Sequence, residues 1–106
     1  MTLGLVTVAG ASMSPALESG DLLLVRWGDR RVRVGQVVLA RWPGHGALVC
    51  KRAVAHGEAG WWLLGDNPAG SDDSRQRGPT RDVLGRVLLR VRRGALSGRD
   101  VRRCSA

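Results

Sequence analysis

Tyrosine and phenylalanine are absent from this chain, and four tryptophans supply all of its aromatic bulk. Lysine is nearly absent too: sixteen of the seventeen basic residues are arginine, and Lys51 is the exception. Cysteine and histidine are scarce, with only Cys50, Cys104, His45 and His56. Each scarcity excludes something. Two cysteines so widely separated form neither a zinc-ligand spacing nor a disulfide framework, and two histidines add no metal pattern, so neither a metal nor a cofactor is expected. No apolar run approaches the ~20 residues of a membrane-spanning helix, so no transmembrane segment is expected. The start, "MTLGLVTVAG", has no basic n-region and too short an apolar run for a secretory signal. These absences lead to the expectation of a cytoplasmic protein.

What is present fits one globular domain. The chain has 106 residues and is 43% hydrophobic, enough for a core and too apolar for disorder. Fifteen glycines and four prolines punctuate short runs rich in Val and Leu. "LGLVTV" (3–8), "LLLVRW" (22–27), "QVVLARW" (36–42) and "ALVCKRAVA" (47–55) read as strands. "GWWLLGD" (60–66) follows a short turn and reads as the second arm of a hairpin. "VLGRVLLRVRR" (83–93) also matches a helix face, but Gly85 and the β-branched content favour a strand. "NPAGSDDSRQRGPT" (67–80) is a polar loop, and loops of that length are often functional. The expected fold is mainly β: a single small barrel-like domain of short coiled strands with little helix, over residues 1–93. Residues 94–106 read as a basic, frayed C-terminal tail.

The chemistry centres on "GASMSPAL", residues 10–17. It holds two serines, and a serine hydroxyl is a poor nucleophile without an adjacent base. His45 and His56 have no clear carboxylate partner. The alternative is a serine–lysine pair. Arginine cannot lose its proton in a protein, whereas a desolvated lysine can. A free lysine titrates near ~10.4 and an effective base sits nearer ~7–8, so burial must disfavour the charged form. Alternation along 47–55 puts Ala47, Val49, Lys51 and Ala53 on one face, among small apolar neighbours that suit this. Of the two serines, Ser14 before Pro15 suits the cap of one helical turn, which leaves Ser12.

"GASMSPALESGDLLLV" (10–25) resembles the nucleophile box of the signal peptidase I family, a serine/lysine-dyad protease family. "KRAVA", whose Lys51 lies 39 residues after Ser12, resembles its lysine–arginine box. "GDNPAGSDDSRQRG" (65–78) resembles its third box. The self-cleaving repressor family shares the first box alone. The resemblance implies a serine endopeptidase with Ser12 as nucleophile and Lys51 as general base. It implies that Ser71 orients the lysine amine and that Met13 helps form the floor of the substrate pocket. It further implies an Asp73–Arg75 ion pair that braces the site, and a structural turn at Gly65, Asp66 and Asn67. The oxyanion would be held by the Ser12 backbone N–H and a donor from position 10. That residue is Gly10 here and carries no hydroxyl.

Small, anchorless family members resemble the proteases that mature nickel-type superoxide dismutase, so the expected partner is a precursor protein, with that dismutase's precursor as the candidate. Other readings compete. One is a signal peptidase cutting exported precursors with the help of a membrane partner. Another is a self-cleaving repressor-like regulator, disfavoured because only eleven residues precede Ser12. A third is a non-catalytic basic module. The net charge is +8, and residues 81–106 hold eight arginines against two acids. No aromatic interleaving accompanies them, so no nucleic-acid partner is expected. The sequence does not specify an oligomeric state.

Overall fold

The computed structural model describes residues 2–28, 31–69, 72–91 and 101–105. Seven strands and one short helix follow one another: β1 (Thr2–Ala9), β2 (Leu22–Trp27), β3 (Val37–Trp42), β4 (His45–Gly57), β5 (Gly60–Leu64), α1 (Ser74–Arg77), β6 (Asp82–Val91) and β7 (Val101–Ser105). Their order in the sheet is β3-β6-β2-β1-β7-β4-β5, and a further β3–β4 pairing closes it. The result is a six-stranded barrel with β5 attached outside it to β4. Closure leaves the ring strands without free edges. Among the described residues no helix is long and apolar enough to cross a membrane.

Period-2 alternation divides the apolar residues between two cores. Val6, Val8, Leu23, Val25, Leu39, Cys50 and Cys104 point inward from five of the ring strands, and Met13 and Leu17 join them. The opposite face of β3 and β4 carries Val38, Ala40, Trp42, Val49 and Ala53, which pack with Leu63 of β5. The β4–β5 hairpin therefore roofs an outer core, and both faces of β4 are covered at its middle. Close packing also decides some glycines. A side chain at Gly85 of β6 would meet the Arg26 carbonyl oxygen of β2 at 2.9 Å.

Two expectations change. Residues 101–105 are not a frayed tail but β7, parallel to β1 with Val8 opposite Cys104, and to β4 with Val49 opposite Ser105. The barrel thus extends past residue 93. The pairing partners are distant in sequence, and "VRRCS" has too little apolar content to announce them; Cys104 alone of its described side chains is buried. Residues 94–100 and 106 of that expected tail lie outside the described residues. Ser14 caps no helix either. Leu17 N–H donates to the Met13 carbonyl at 2.9 Å, and the Ser14 hydroxyl donates to the Glu18 carboxylate at 3.0 Å.

The turn between β4 and β5 offers a matched test of packing. Gly60 has φ of 114°, and a Cβ there would collide with the Thr80 carbonyl, while a Cβ at Gly57, its cross-strand partner, would meet open space. Gly60→Ala is expected to lower stability by ~1–3 kcal/mol and Gly57→Ala by no more than ~0.5 kcal/mol in urea denaturation.

Candidate functional site

The segment after β1 turns at Gly10, whose φ of 96° favours glycine. Its side chains then diverge. Met13 and Leu17 enter the barrel core, and Ser12, only 3% exposed, stands at the outer side next to β4. Several contacts hold the segment. Asn67 donates its backbone N–H to the Ser12 carbonyl at 2.7 Å and its side-chain Nδ2 to the Ala11 carbonyl at 3.1 Å. Buried Asp21 accepts the Glu18 N–H at 2.8 Å and pairs with Arg90 of β6 at 2.9 Å. Arg90 also donates to the Ala16 carbonyl at 3.1 Å.

Lys51 lies in the middle of β4, opposite Val38 of β3, and is 4% exposed. Its Nζ is hydrogen-bonded to Ser12 Oγ at 2.6 Å. Burial pushes the amine below its ordinary value, and the charges at Asp73, Cys50, Asp72 and Cys104 oppose that only in part. The next residue, Arg52, stays charged. It grips Asp66 through two bonds of 2.9 and 2.7 Å and donates to the Gly35 carbonyl at 2.8 Å. One strand thus places a desolvated lysine beside a fully paired arginine.

Asp73 organises the third segment. Its carboxylate pairs with Arg75 at 2.8 Å, accepts the Gly65 N–H at 2.8 Å, and accepts the Arg75 N–H as the cap of α1. Burial would raise this carboxyl; the Arg75 guanidinium and the two backbone donors outweigh it and hold the carboxyl at about 2. Ser74 accepts the Leu63 N–H at 2.8 Å and fastens α1 to β5. Ser71 lies outside the described residues.

Ser12 and Lys51 border a cavity of about 160 Å³. Ala47 and Val49, on the lysine face of β4, form a short apolar wall. Trp42, His45, Asp72, Arg77 and Ser105 complete it. Met13 and Gly10 are not among these lining residues: Met13 is fully buried in the barrel core instead. Alternation along β4 could have pointed to Ala47 and Val49. His45 also lies on β4, in phase with them; Trp42, Asp72, Arg77 and Ser105 come from β3, the segment before α1, α1 and β7, and no local pattern joins those four. Two larger clefts, of about 750 and 530 Å³, lie elsewhere, and neither contains a serine, cysteine or lysine. Among the described residues no group of three or more His, Cys, Asp or Glu could hold a metal ion. The cysteines, far apart in sequence, meet inside the barrel as free thiols, and a hydrogen bond that the Cys50 thiol donates to Cys104, together with burial, pushes the Cys50 thiol up.

A buried hydroxyl against a lysine that burial disposes to be neutral can supply a nucleophile and a proton acceptor without a metal. Comparison with known proteins bears on what such a site does. A family model described as Peptidase S24-like matches residues 2–88. No curated protein matches the chain.

Two titrations follow from this geometry. The folded pKa of Lys51 lies below its unfolded value of 10.5, so the unfolded chain binds more protons between the two, and stability rises with pH there. Lys51→Met is expected to raise stability at about pH 7, and the gain should shrink as pH approaches 10.5; denaturation midpoints across that range check this. Asp73 has the opposite sign. Its contribution is full above 3.8 and is lost as pH falls through about 2. Asp73→Asn is expected to cost about 2 kcal/mol at neutral pH, and the two proteins should converge in acid.

Proposed function

The chain belongs to the peptidase S24-like family, and from that premise we propose that it is a serine endopeptidase working through a Ser12–Lys51 dyad. The observation that carries the reading is the 2.6 Å contact between Ser12 Oγ and a buried Lys51 Nζ. Neutral Lys51 takes the proton as Ser12 Oγ attacks a substrate carbonyl. The backbone N–H of Ser12 is the proposed donor to the developing oxyanion, and because Gly10 carries no hydroxyl the second donor is a backbone N–H or water. Protonated Lys51 then gives its proton to the leaving amine, and an acyl-enzyme remains. In the second half Lys51 takes a proton from water as the water oxygen attacks the acyl carbon, then returns it to Ser12 Oγ as the acyl–Oγ bond breaks, which releases the acid and restores Ser12. Asp66, Asn67, Asp73 and Arg75 act at a distance. Asn67 fixes the Ser12 segment, Asp66 the strand that carries Lys51, and the Asp73–Arg75 pair the turn at Gly65 beside them. Ser71 is the proposed orienting partner of the lysine amine.

The finer reading is a signal peptidase I-type enzyme that removes an N-terminal leader from a cytoplasmic precursor, that of nickel-type superoxide dismutase. It rests on the resemblance of the three boxes. Two readings of the same chemistry stand beside it: a signal peptidase that reaches exported precursors through a membrane partner, and a self-cleaving regulator. Parallel incubation with the dismutase precursor and with an export-signal precursor, followed by mass measurement of the new N-termini and of the enzyme, separates them. Cleavage in trans at one leader site supports the maturation reading. Cleavage only of an export-signal precursor supports the first rival, and a shortened enzyme with intact substrate supports the second.

Ser12→Ala and Lys51→Ala are each expected to lower the cleavage rate by at least ~10³-fold. Lys51→Arg should do the same, because arginine stays protonated. Turnover within tenfold of wild type in any of the three would overturn the dyad. The wild-type rate should climb with pH as Lys51 deprotonates, with a midpoint below 10.5; a flat profile would refute a lysine base.

A further inference from the structure

His45 opens β4 directly across from Trp42, at the end of the β3–β4 hairpin. Pro43 and Gly44 make the turn, with Gly44 at φ 77°, the value a type II turn needs at that position. The imidazole is therefore carried on a short, well-defined connection. Its Nδ1 is buried, yet it has no hydrogen-bond partner among the described residues. Native interiors keep few such atoms, because a buried unpaired nitrogen forfeits its interaction with water. The same imidazole lines the cavity that Ser12 and Lys51 border.

Among the polar groups of the wall, His45 Nδ1 is set apart by being both buried and unbonded, whereas Ser105, the other wall residue with no bond described, is exposed. Ala47 and Val49 offer only methyl groups. The Trp42 indole N–H is already bonded to the Gly78 carbonyl at 2.8 Å. Asp72 and Arg77 hold each other through two bonds, of 2.9 and 2.7 Å. Lys51 holds Ser12. The cavity, at about 160 Å³, has room for one group of roughly benzene size.

We infer that His45 is a specificity-determining residue, whose Nδ1 bonds the side chain of the substrate residue seated beside Ser12 and selects a short hydroxyl or amide there over an apolar group of equal size. Hydroxyls and carboxamides both donate and accept, so Ser, Thr or Asn satisfies the imidazole whichever nitrogen carries its proton. Val or Ala would leave Nδ1 unpaired and dry. A site built around such a bond discriminates against the analogue that lacks it. The inference rests on the peptidase reading above and narrows its substrate class.

The test uses the full chain and two readouts. Wild type, His45→Asn and His45→Leu are incubated with a proteome-derived peptide library, and cleavage sites are read by mass spectrometry. Asn keeps a polar atom near the Nδ1 position, and Leu keeps the bulk alone. Wild type and His45→Asn should enrich Ser, Thr or Asn at one subsite by about tenfold over Val, and His45→Leu should lose that preference while still cutting. No such enrichment in wild type, or the same enrichment in His45→Leu, overturns the inference. The second readout does not need turnover. In Ser12→Ala protein with labelled histidine, N-acetyl-threonine amide should shift the His45 imidazole resonances at a lower concentration than N-acetyl-valine amide. Equal response to both overturns the inference. Absence of all library cleavage together with a threonine-selective shift would overturn the peptidase reading while His45 as a selective site stands.

Discussion

A lysine amine hidden from water next to a serine hydroxyl is the constraint on which the rest of this structure turns. Burial disfavours the ammonium form, so the amine is useful as a base only while water stays away from it. The surrounding architecture maintains that condition. Strand β4 is paired on both sides at its middle and covered on both faces, by the barrel core and by the core under β5. Lys51 emerges from that strand between Val49 and Ala53, neither of which can hydrate it. An arginine at position 51 would keep its charge, and an exposed lysine would keep its ordinary pKa.

The serine has to meet the lysine from another part of the chain, and the means are equally physical. Met13 and Leu17 are buried in the barrel, so the segment that carries Ser12 is anchored by its apolar side chains. The Asp21–Arg90 pair ties the end of that segment to β6, and Asn67 ties its start to the turn after β5. These anchors come from distant regions of the chain and together hold the reactive geometry. The acidic and basic residues nearby are nearly all matched. Arg52 is paired with Asp66 and Arg75 with Asp73, and the charge of Asp73 that still reaches the lysine offsets its burial only in part.

Much of this was legible in the residues themselves. The alternation in "ALVCKRAVA" placed Lys51 with Val49 and Ala53, and the structure puts those two in the outer core. The glycines and the Val- and Leu-rich runs marked six of the seven strands. The missing one, β7, is short, bears Arg102 and Arg103, and pairs with strands that precede it by most of the chain's length. Local patterns carry no information about such a partner. Met13 illustrates a different limit. Adjacency to Ser12 in sequence says that the two residues are neighbours, but the backbone turn sends their side chains to opposite sides, one to the core and one to the cavity. His45 had no visible carboxylate partner in the sequence and looked idle as a base; it stands in phase with Ala47, Val49 and Lys51 on β4, and only the fold brings that face against Asp72 and Arg77.

The sequence by itself determined the chemistry on offer: one lysine able to lose its proton, a serine in a glycine- and proline-bounded turn, and short strands that can only bury themselves as a sheet. It determined these because residue type, alternation and turn composition are local properties. Tertiary structure alone decided which atoms meet. Closure of the barrel by β7, the approach of Ser12 to Lys51, the meeting of Cys50 with Cys104, and the cavity built from Trp42, His45, Asp72 and Arg77 all join residues remote in the chain. Such contacts are selected by the packing of the whole domain, where burial must be shared among all the strands at once, and no single segment contains that information.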